Sequence, residues 1–347
     1  MKVLFNCNTI AFQSPGGGTV QLLKTKEYLE KNKINVKLFN QWDDKIGNYD
    51  IIHNFGKSNN CYDVIHSAKL QKVPIAITPI YNWPSLIYGL KENIGIKRKL
   101  KFIAYHIIKN NHLFDFISKT RIMLKEADII LPDSQAEAKL MIKHFNLDKR
   151  KIAIVPVGVE KSFKDAKKNL FIEKYGLKDF VLYVGRIEQR KNLIELIKIM
   201  NKINLPLVII GNKVPDQINY YNICRKIAKK NIHFLGELEK DSKLLMSAYA
   251  ATKVFVLPSF VETPGIATLE AGLAGANIVI TERGSTREYF KNHVSYINPL
   301  NTTQIEKAIK LEYDKDKNRN LSKYIEKNFV WEVVIKKVIK AYQRIAL

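Results

Sequence analysis

PSFVETPGIATLEAGLAGANIVIT, residues 258–281 of this 347-residue chain, is the stretch that decides the fold class. The apolar run at 254–258 that leads into it has the length of a buried strand. Thr263 can cap a helix and Pro264 suits its first position, so a helix is predicted directly after that strand. A further apolar run at 277–281 predicts the next strand. The stretch therefore indicates a strand–helix–strand unit of a parallel α/β sheet.

The same stretch carries a candidate phosphate site. Gly265, Ile266 and Ala267 would present backbone N–H groups at the positive end of the helix, which suits a phosphate group. Glu270 follows about 5–8 Å further along the axis, at ~1.5 Å per residue, where it can accept hydrogen bonds from ribose hydroxyls. Glu262 precedes the helix and can meet a sugar. The spacing fits a sugar–diphosphate–nucleoside, although two solvated glutamates on a plain structural unit would give the same spacing.

The residues around these glutamates carry a family resemblance. They read E-x7-E with a glycine three residues after the first, then L-E-A, then G-x-x-I-V-I-T and G-S-T-R-E. This combination resembles the donor-binding signature of family-4 retaining glycosyltransferases of the GT-B fold, the glycosyl transferases group 1. In that family the first glutamate lies beside the donor sugar and the second holds the ribose. The resemblance assigns these roles to Glu262 and Glu270.

A second motif, VLYVGRIEQRKNL at 181–193, places basic residues after a predicted strand. Strand ends in a doubly wound sheet open onto the ligand crevice. The guanidinium group of Arg186 can donate two parallel hydrogen bonds, and the ammonium group of Lys191 is a mobile point charge. Together they suit a diphosphate leaving group. A solvated loop is the alternative, but the segment resembles the family motif G-R-x4-K-N, whose Arg and Lys hold the diphosphate. The resemblance gives Arg186, Lys191 and Glu262 catalytic roles and adds Gly185 to the donor site.

Glycines elsewhere complete the expected donor site. SPGGGTVQLL at 14–23 follows the first predicted strand and opens a helix, so its backbone can approach a ligand closely. It lacks the full dinucleotide fingerprint, and a turn without a ligand is the alternative. It resembles the first glycine-rich loop of the family, which faces the donor across the cleft, so Gly17 and Gly18 are candidates. Gly211 resembles a family position around the base.

The chain as a whole alternates short apolar strands with helical periods, the pattern of parallel α/β domains. Strands are predicted near 2–6, 34–39, 50–54, 74–78, 128–132 and 152–155, and then near 180–184, 205–210, 231–235, 253–257 and 277–281. The predicted fold class is α/β. The resemblance implies GT-B architecture, with two Rossmann-like, doubly wound domains and a cleft between them.

Two segments set the predicted domain boundaries. VPVGVEKSF at 155–163 resembles the segment that ends the first domain in the family. The tail, 328–347, has one apolar face at helical spacing, and it resembles the family helix that crosses back onto the first domain. We expect an acceptor-binding domain at 1–160, a nucleotide-sugar-binding domain at 161–327 and a crossing helix at 328–347.

One family feature is missing. Many family members carry a histidine in the context P-x-x-x-T-x-H, but this chain reads PIAITPIYN at 74–82, so Ile80 stands at that position. His53, at the end of the preceding predicted strand, is a candidate replacement. A lone histidine at a strand end is more often a structural hydrogen-bonding residue. The substitution leaves open how the sugar would be held.

Charge points to an anionic partner. The chain has 57 Lys and Arg against 33 Asp and Glu, for a net charge of +24. The segment 84–126, where the family builds its acceptor surface, holds nine basic and three acidic residues among interleaved aromatics. Such a segment suits an anionic membrane interface, and ordinary surface helices are the alternative. No nucleic-acid-binding motif accompanies the charge, so no nucleic-acid partner is expected.

The remaining composition bears on location and cofactors. The chain is 46% hydrophobic and 26% charged, which is typical of a globular protein. Three cysteines, Cys7, Cys61 and Cys224, show no metal-like or disulfide spacing. No signal peptide or apolar span of ~18 residues is visible. We expect a cytoplasmic protein, or one peripheral on the inner face of the membrane. No cofactor and no required metal are expected, because Arg and Lys would replace a divalent ion at the diphosphate.

The predicted function is retaining transfer of a hexosyl group from a nucleotide diphosphate sugar to a hydroxyl of a surface-glycan or lipid-linked saccharide acceptor. The alternatives are a catalytically inactive partner subunit with the same fold, and a phosphorylase or epimerase built on it. A phosphorylase would usually need a cofactor lysine or a second phosphate site, and the sequence displays neither. The sequence names neither the sugar, the base nor the acceptor.

Overall fold

The computed structural model describes residues 1–13, 15–81, 89–90, 96–110 and 118–346. Much of the basic segment predicted at 84–126 lies outside the described residues. The chain divides into two compact units. The first comprises Met1–Trp83, Leu100–Gly158 and Trp331–Leu347, and the second comprises Pro84–Lys99 and Val159–Val330.

The first unit is built on a five-stranded parallel sheet with the order β2-β1-β3-β4-β5. The strands are β1 (Lys2–Cys7), β2 (Asn35–Leu38), β3 (Ile51–Phe55), β4 (Ile75–Thr78) and β5 (Ile129–Ile130). The helices before Gly158 are α1 (Gly17–Lys31), α2 (Tyr62–Leu70), α3 (Ile96–Asn110), α4 (Ser118–Glu126) and α5 (Gln135–Phe145). The inner strands are mostly buried because a parallel sheet is covered on both faces, and their buried polar side chains are Asn6, His53, Asn54 and Thr78.

The second unit has a six-stranded parallel sheet with the order β11-β10-β9-β6-β7-β8. Its strands are β6 (Val181–Val184), β7 (Leu207–Ile210), β8 (Ile232–Gly236), β9 (Val254–Leu257), β10 (Asn277–Thr281) and β11 (Ser295–Ile297). Its helices are α6 (Asn169–Tyr175), α7 (Leu193–Ile203), α8 (Ile218–Ile227), α9 (Lys243–Ala251), α10 (Ile266–Leu273), α11 (Thr286–Phe290), α12 (Thr302–Tyr313) and α13 (Arg319–Phe329). The predicted α/β class with two parallel sheets is confirmed.

Two strand predictions need correction. The segment predicted at 152–155 makes only an isolated bridge, Ile130 to Ile152, and two backbone bonds to β5 and Pro132. Because Pro132 has no N–H to donate, a regular ladder cannot continue there. In the second unit β11 was not predicted, since its three residues include Ser295 and Tyr296 and give no apolar run.

The last helix, α14 (Trp331–Gln343), belongs to the first unit. Its buried side chains pack in one core with residues of β1, β3 and α1. Trp331 stacks on Tyr28 of α1 with 5.8 Å between ring centroids. Gly158 admits this ring, because a Cβ there would lie 2.5 Å from the Trp331 side chain. The apolar face seen in the tail sequence is therefore a core face of the first unit.

Within the described residues, the helices are all too short or too polar to cross a membrane.

Candidate functional site

A buried ion pair lies at the carboxyl ends of two neighbouring strands of the second unit. Lys191 ends a short turn that follows β6, and Glu262 follows β9. Because β6 and β9 are adjacent and parallel, their carboxyl ends meet at one edge of the sheet. The Lys191 ammonium group donates to Glu262 Oε1 at 2.6 Å. Both side chains are largely buried, with exposed fractions of 12% and 4%.

Two arginines extend this pair into a charged cluster. Arg190 Nη1 lies 3.6 Å from Glu262 Oε1 and donates to the Val261 carbonyl oxygen at 3.0 Å. Its Nη2 lies 2.9 Å from Glu188 Oε1, and Arg186 Nη2 lies 3.2 Å from Glu188 Oε2. Three cations thus face two carboxylates, which leaves a local positive excess. The side chain of Arg186 is 43% exposed, so it can reach a ligand.

Electrostatics keep the central pair ionised. Burial alone would raise the pKa of Glu262, but the charges of Lys191 and Arg190 outweigh it and hold that pKa below its usual range. Burial lowers the pKa of Lys191, and the Glu262 carboxylate opposes that shift. With the charges 2.6 Å apart, each ion stabilises the other where water is excluded. A pre-formed positive group is therefore available beside a carboxylate.

A close backbone approach fixes Glu262. Its N–H donates to the Arg283 carbonyl oxygen at 3.1 Å, and its carbonyl oxygen accepts from the Ser285 N–H at 3.0 Å. Between them, Gly284 has a φ of 96°, and a Cβ there would lie 1.9 Å from the Glu262 carbonyl oxygen. Only glycine fits this position. The G-S-T-R-E motif thus holds the backbone of the glutamate that precedes it by over twenty residues.

The helix after Glu262 begins later than predicted. It starts at Ile266 with Gly265 at the N-cap position, so the prediction that Thr263 caps it and Pro264 opens it is wrong. Gly265 has a φ of 85°, a backbone conformation that glycine adopts without strain, and it separates Pro264 from the helix. Ile266 and Ala267 still supply the first backbone N–H groups of α10, as the phosphate interpretation requires.

Gly265 also brings the helix terminus close to the ion pair. A Cβ on Gly265 would lie 3.3 Å from Glu262 Oε2 and 3.2 Å from Thr268 Oγ1. Thr268 is buried, and its hydroxyl has no hydrogen-bond partner among the described residues. The end of α10 therefore lies against the Lys191–Glu262 pair with an additional hydroxyl in its first turn.

Glu270 is buried in α10 and already has a partner. The Tyr249 hydroxyl of α9 donates to Glu270 Oε2 at 2.7 Å. Burial raises the pKa of Glu270 to about 7, despite the hydrogen bond from Tyr249 and the charge of Lys240. The carboxyl group is thus oriented, and it titrates near neutral pH. It was predicted as a ribose ligand, and Tyr249 was missed because nothing in the local sequence links it to position 270.

The other predicted glycines fall into two groups. Gly185 and Gly211 approach each other closely after β6 and β7, since a Cβ on Gly211 would lie 2.0 Å from the Gly185 carbonyl oxygen. Gly17 and Gly18 belong to the first unit and form the first turn of α1. That turn has no side-chain cap and no acidic residue. Gly185 and Gly211 therefore lie at the same edge of the second sheet as the charged cluster. Gly17 and Gly18 belong to the first unit.

His53 has a structural role in the first unit. Its Nδ1 lies 2.6 Å from the Tyr342 hydroxyl, and its Nε2 lies 2.8 Å from the Thr78 hydroxyl. Complete burial lowers the pKa of His53 to about 3, so the ring is neutral. Because both nitrogens are engaged inside the core, His53 does not take over the role of the histidine missing at Ile80.

Sequence reasoning also missed Glu188 and Arg190. Both stand in the unspecified positions of G-R-x4-K-N, so the motif gave no signal for them. Their role follows from the sheet, which brings Arg190 to a carboxylate 72 residues away. Among the described residues, no group of three or more His, Cys, Asp or Glu side chains is arranged to hold a metal ion.

Comparison with known proteins bears on this site. The family model described as glycosyl transferases group 1 matches residues 163–328, which include the whole charged cluster and α10. The structure is similar to that of the Anabaena protein HepE in complex with UDP-glucose, with a TM-score of 0.74, 13% identity and coverage of 99% and 100% of the two chains. At that identity the likeness concerns the fold, which is GT-B.

Relatives are similar over part of their length. An uncharacterized glycosyltransferase of Methanocaldococcus jannaschii is 27% identical over 223 residues, which cover 57% of this chain and 55% of the relative. The O-antigen chain mannosyltransferase B of Escherichia coli is 25% identical over 236 residues, covering 63% of this chain and 61% of the relative. The chain thus spans little more than half the length of these relatives.

Proposed function

We propose that this chain is a glycosyltransferase of the group 1 family, whose model matches residues 163–328. In this proposal it moves a hexosyl group from a nucleotide diphosphate sugar to a hydroxyl of a surface-glycan or lipid-linked saccharide acceptor, with retention. The observation that carries the proposal is the cluster of Arg186, Arg190, Lys191 and Glu262 beside the start of α10. It joins cations, helix N–H groups and one carboxylate at the carboxyl edge of a parallel sheet, where such sheets bind ligands.

In this proposal Arg186 and Lys191 bind the diphosphate. Negative charge grows on the leaving diphosphate in the transition state, and cations already fixed in place stabilise it without reorganisation. The Ile266 and Ala267 N–H groups at the start of α10 add hydrogen bonds and the positive end of the helix dipole. These residues supply the charge that a divalent ion would otherwise supply, so the proposed reaction requires no metal.

The two glutamates have separate roles. Glu262 lies beside Lys191 and Gly265, so it faces the sugar next to the diphosphate. Glu270, oriented by Tyr249, accepts the ribose hydroxyls. Gly185 and Gly211, which approach each other closely after β6 and β7, line the nucleotide side. For retention, the acceptor hydroxyl attacks from the face that the diphosphate leaves, and the leaving phosphate oxygen takes its proton. Positioning and charge stabilisation then provide the catalysis.

In this proposal the basic segment at 84–126, which would bind the acceptor, contacts an anionic membrane surface. The described part of the basic segment includes α3, where Ile96 and Leu100 are 78% and 59% exposed and lie four residues apart on one helix face. Lys97, Lys99 and Lys101 beside them are also exposed. Apolar side chains flanked by lysines are typical of helices that lie in a membrane interface. The acceptor proposal is also supported by the relative named for O-antigen chain synthesis.

A thermal-shift screen against UDP, GDP, ADP and their sugars tests the donor proposal, because a ligand that binds the folded state raises its melting temperature. One of the three nucleotides should raise the melting temperature of the chain. The matching nucleotide sugar should be hydrolysed slowly in the absence of acceptor. Stabilisation without hydrolysis or transfer would favour the inactive partner subunit instead. Release of a sugar phosphate with added phosphate would favour a phosphorylase, and interconversion of the donor sugar would favour an epimerase.

A further inference from the structure

The carboxyl edge of the first sheet carries a short loop, residues 56–59, that the proposed function does not use. This loop follows β3, which lies next to β1 in the sheet. The chain passes from β1 to β2 on one side of the sheet, and from β3 to β4 and β5 on the other. The strand order therefore reverses between β1 and β3. Open α/β sheets bind ligands in the crevice at the carboxyl ends of the strands where the order reverses.

Contacts with three elements of the first unit hold this loop in place. The Gly56 N–H donates to the Thr78 carbonyl oxygen of β4 at 2.8 Å. The Gly56 carbonyl oxygen accepts from Nδ2 of Asn54, a fully buried residue of β3, at 2.9 Å. On the other side, the Thr120 hydroxyl of α4 lies 3.1 Å from the Lys57 carbonyl oxygen. The backbone of the loop is therefore fixed before any ligand binds.

The fixed loop has unused hydrogen-bond donors. The N–H groups of Lys57, Ser58 and Asn59 have no acceptor among the described residues. Gly56 has a φ of 89°, and a Cβ there would have no described atom within 4 Å, so the space over the loop is open. Successive N–H groups in a turn that contains a left-handed residue form a concave site for an anion.

The side chain of Lys57 adds a positive charge to this loop. It is partly buried, and burial lowers the pKa of its ammonium group. The ammonium nitrogen lies 5.2 Å from the centroid of the Tyr81 ring, a cation–π contact. Among the described residues Lys57 forms no ion pair. Because a charge that is withdrawn from water is normally paired, an anionic ligand would supply the missing partner.

Lysines elsewhere in the chain show what burial usually requires. Burial also lowers the pKa of Lys191 and Lys317. Lys191 donates to Glu262 at 2.6 Å, and Lys317 donates to the Ala250 carbonyl oxygen. The ammonium group of Lys57 donates to no oxygen atom of the described residues. It therefore differs from both in having only an aromatic ring beside it.

We propose that Lys57 and the N–H groups of residues 57–59 bind a phosphate group of a ligand of the first unit. Phosphate fits because its oxygens accept several hydrogen bonds at once, and its charge pairs with the ammonium group. The phosphate group belongs to a sugar phosphate or to a lipid phosphate. The site uses no residue of the second unit, so it stands whether or not that unit transfers a sugar.

Amide NMR of the full chain with inorganic phosphate reads this site directly. Phosphate should shift the resonances of Lys57, Ser58 and Asn59 to saturation, whereas chloride at the same ionic strength should not. Unshifted resonances in this loop would overturn the proposal. The amides of Ile266 and Ala267 report the second-unit site separately. If only these two shift, the proposal fails and the proposed function stands. If the loop responds and no nucleotide binds, the proposed function fails and the phosphate site stands.

The variant Lys57→Gln tests the role of the charge. The amide titration should show phosphate affinity lowered by about tenfold or more, because a charge-assisted hydrogen bond is lost. Lys139→Gln, at an exposed lysine on α5, should change the affinity by less than about twofold, since distant exposed charges are screened. Equal affinity in wild type and Lys57→Gln, or an equal loss in Lys139→Gln, would overturn the proposal.

Melting temperatures separate ligand binding from a purely structural role of Lys57. Phosphate should raise the melting temperature of the wild type more than that of Lys57→Gln. Without phosphate, Lys57→Gln should melt no lower than the wild type, because it buries no unpaired charge. A lower melting temperature with unchanged phosphate affinity would mean that Lys57 only packs on Tyr81, and the proposal would fail. Lys57→Arg, which keeps the charge, should retain the phosphate-induced shifts.

Two further titrations identify the source of the phosphate group. Glucose 6-phosphate is the probe for a sugar phosphate, and geranyl diphosphate is the probe for a lipid phosphate. The true source should bind more tightly than inorganic phosphate, because it adds contacts beyond the shared group, and Lys57→Gln should weaken that binding. If inorganic phosphate and both probes leave the loop amides unshifted, the proposal is overturned.

Discussion

Both units are built on a parallel sheet, but they differ in the ionisation of their buried titratable side chains. In the second unit, Lys191 and Glu262 face each other as ions, with Arg190 beside them. In the first unit, burial lowers the pKa of His53 to about 3, and burial together with Asp133 raises the pKa of Glu137 well above its usual range. Burial thus favours the neutral forms of His53 and Glu137 in the first unit, whereas the Lys191–Glu262 pair of the second unit is ionised.

The largest effect is expected from removing the cations of the second unit. Lys191→Ala and Arg186→Ala should each lower turnover by about 10²–10³-fold at saturating donor, with a smaller loss of donor affinity, because leaving-group charge develops in the transition state. Their effects should be less than additive, since both serve one diphosphate. Steady-state hydrolysis of the donor measures this. Lys198→Ala, an exposed lysine on α7, is the matched control. Near-normal turnover in either variant would contradict the proposed role of Arg186 and Lys191 in stabilising the leaving diphosphate.

Glu270 and His53 should affect the pH dependence of stability with opposite signs. The folded pKa of Glu270 is about 7, above its usual 4.5, so the folded state holds a proton that the unfolded state releases between these values. Stability should therefore fall by about 3 kcal/mol as pH rises from 4.5 to 7, and Glu270→Gln should abolish this difference. Chemical denaturation of the wild type and the variant at pH 5 and pH 8 measures it.

His53 should act in the opposite direction. Its folded pKa of about 3 lies below its usual 6.5, so the unfolded state binds the proton first. The stability that neutral His53 contributes is complete above pH 6.5 and is lost as pH falls toward 3. His53→Gln should therefore lose less stability than the wild type between pH 7 and pH 5, which the same chemical denaturation measures. Equal losses in the variant and the wild type would contradict the depressed pKa of His53.

The smallest effect per residue is expected at α3. Replacing Lys97, Arg98, Lys99 and Lys101 with Gln should release the chain from anionic vesicles, since each basic residue near such a surface contributes about 1 kcal/mol. Nucleotide affinity should not change. Sedimentation with phosphatidylserine vesicles at low and high salt measures the binding. A matched control replaces four exposed lysines of the second unit with Gln, namely Lys226, Lys229, Lys230 and Lys307. Wild-type chain that stays in the supernatant at low salt would point to a soluble acceptor.

The sequence was informative about strands that are buried on both faces. Val254–Leu257 and Asn277–Thr281 are nearly continuous apolar runs, which parallel sheets require and periodicity detects. Ser295–Ile297 is short and half polar, so no comparable signal exists. The late start of α10 was missed because Gly265 has a φ of 85° and stands at the N-cap position, which the capping preferences of Thr263 and Pro264 do not anticipate.

The site was predictable only as separate motifs. Lys191 and Glu262 lie 71 residues apart, and their pairing needs the adjacency of β6 and β9. Arg190 and Tyr249 have no pattern of their own, since each is recognised through the carboxylate that it contacts in space. The roles given to the predicted donor residues remain predictions until a nucleotide is bound.

Nucleotide titration calorimetry on the wild type and Glu270→Ala tests most directly whether the second unit binds the donor. One of UDP, GDP or ADP should bind the wild type. Glu270→Ala should weaken that binding by roughly 1.5–3 kcal/mol, about tenfold to a hundredfold, because charged hydrogen bonds to the ribose are lost. Glu137→Gln, altered in the first unit, should bind the same nucleotide as tightly as the wild type. Binding of none of the three, or equal affinity in Glu270→Ala, would contradict the assignment of the donor site.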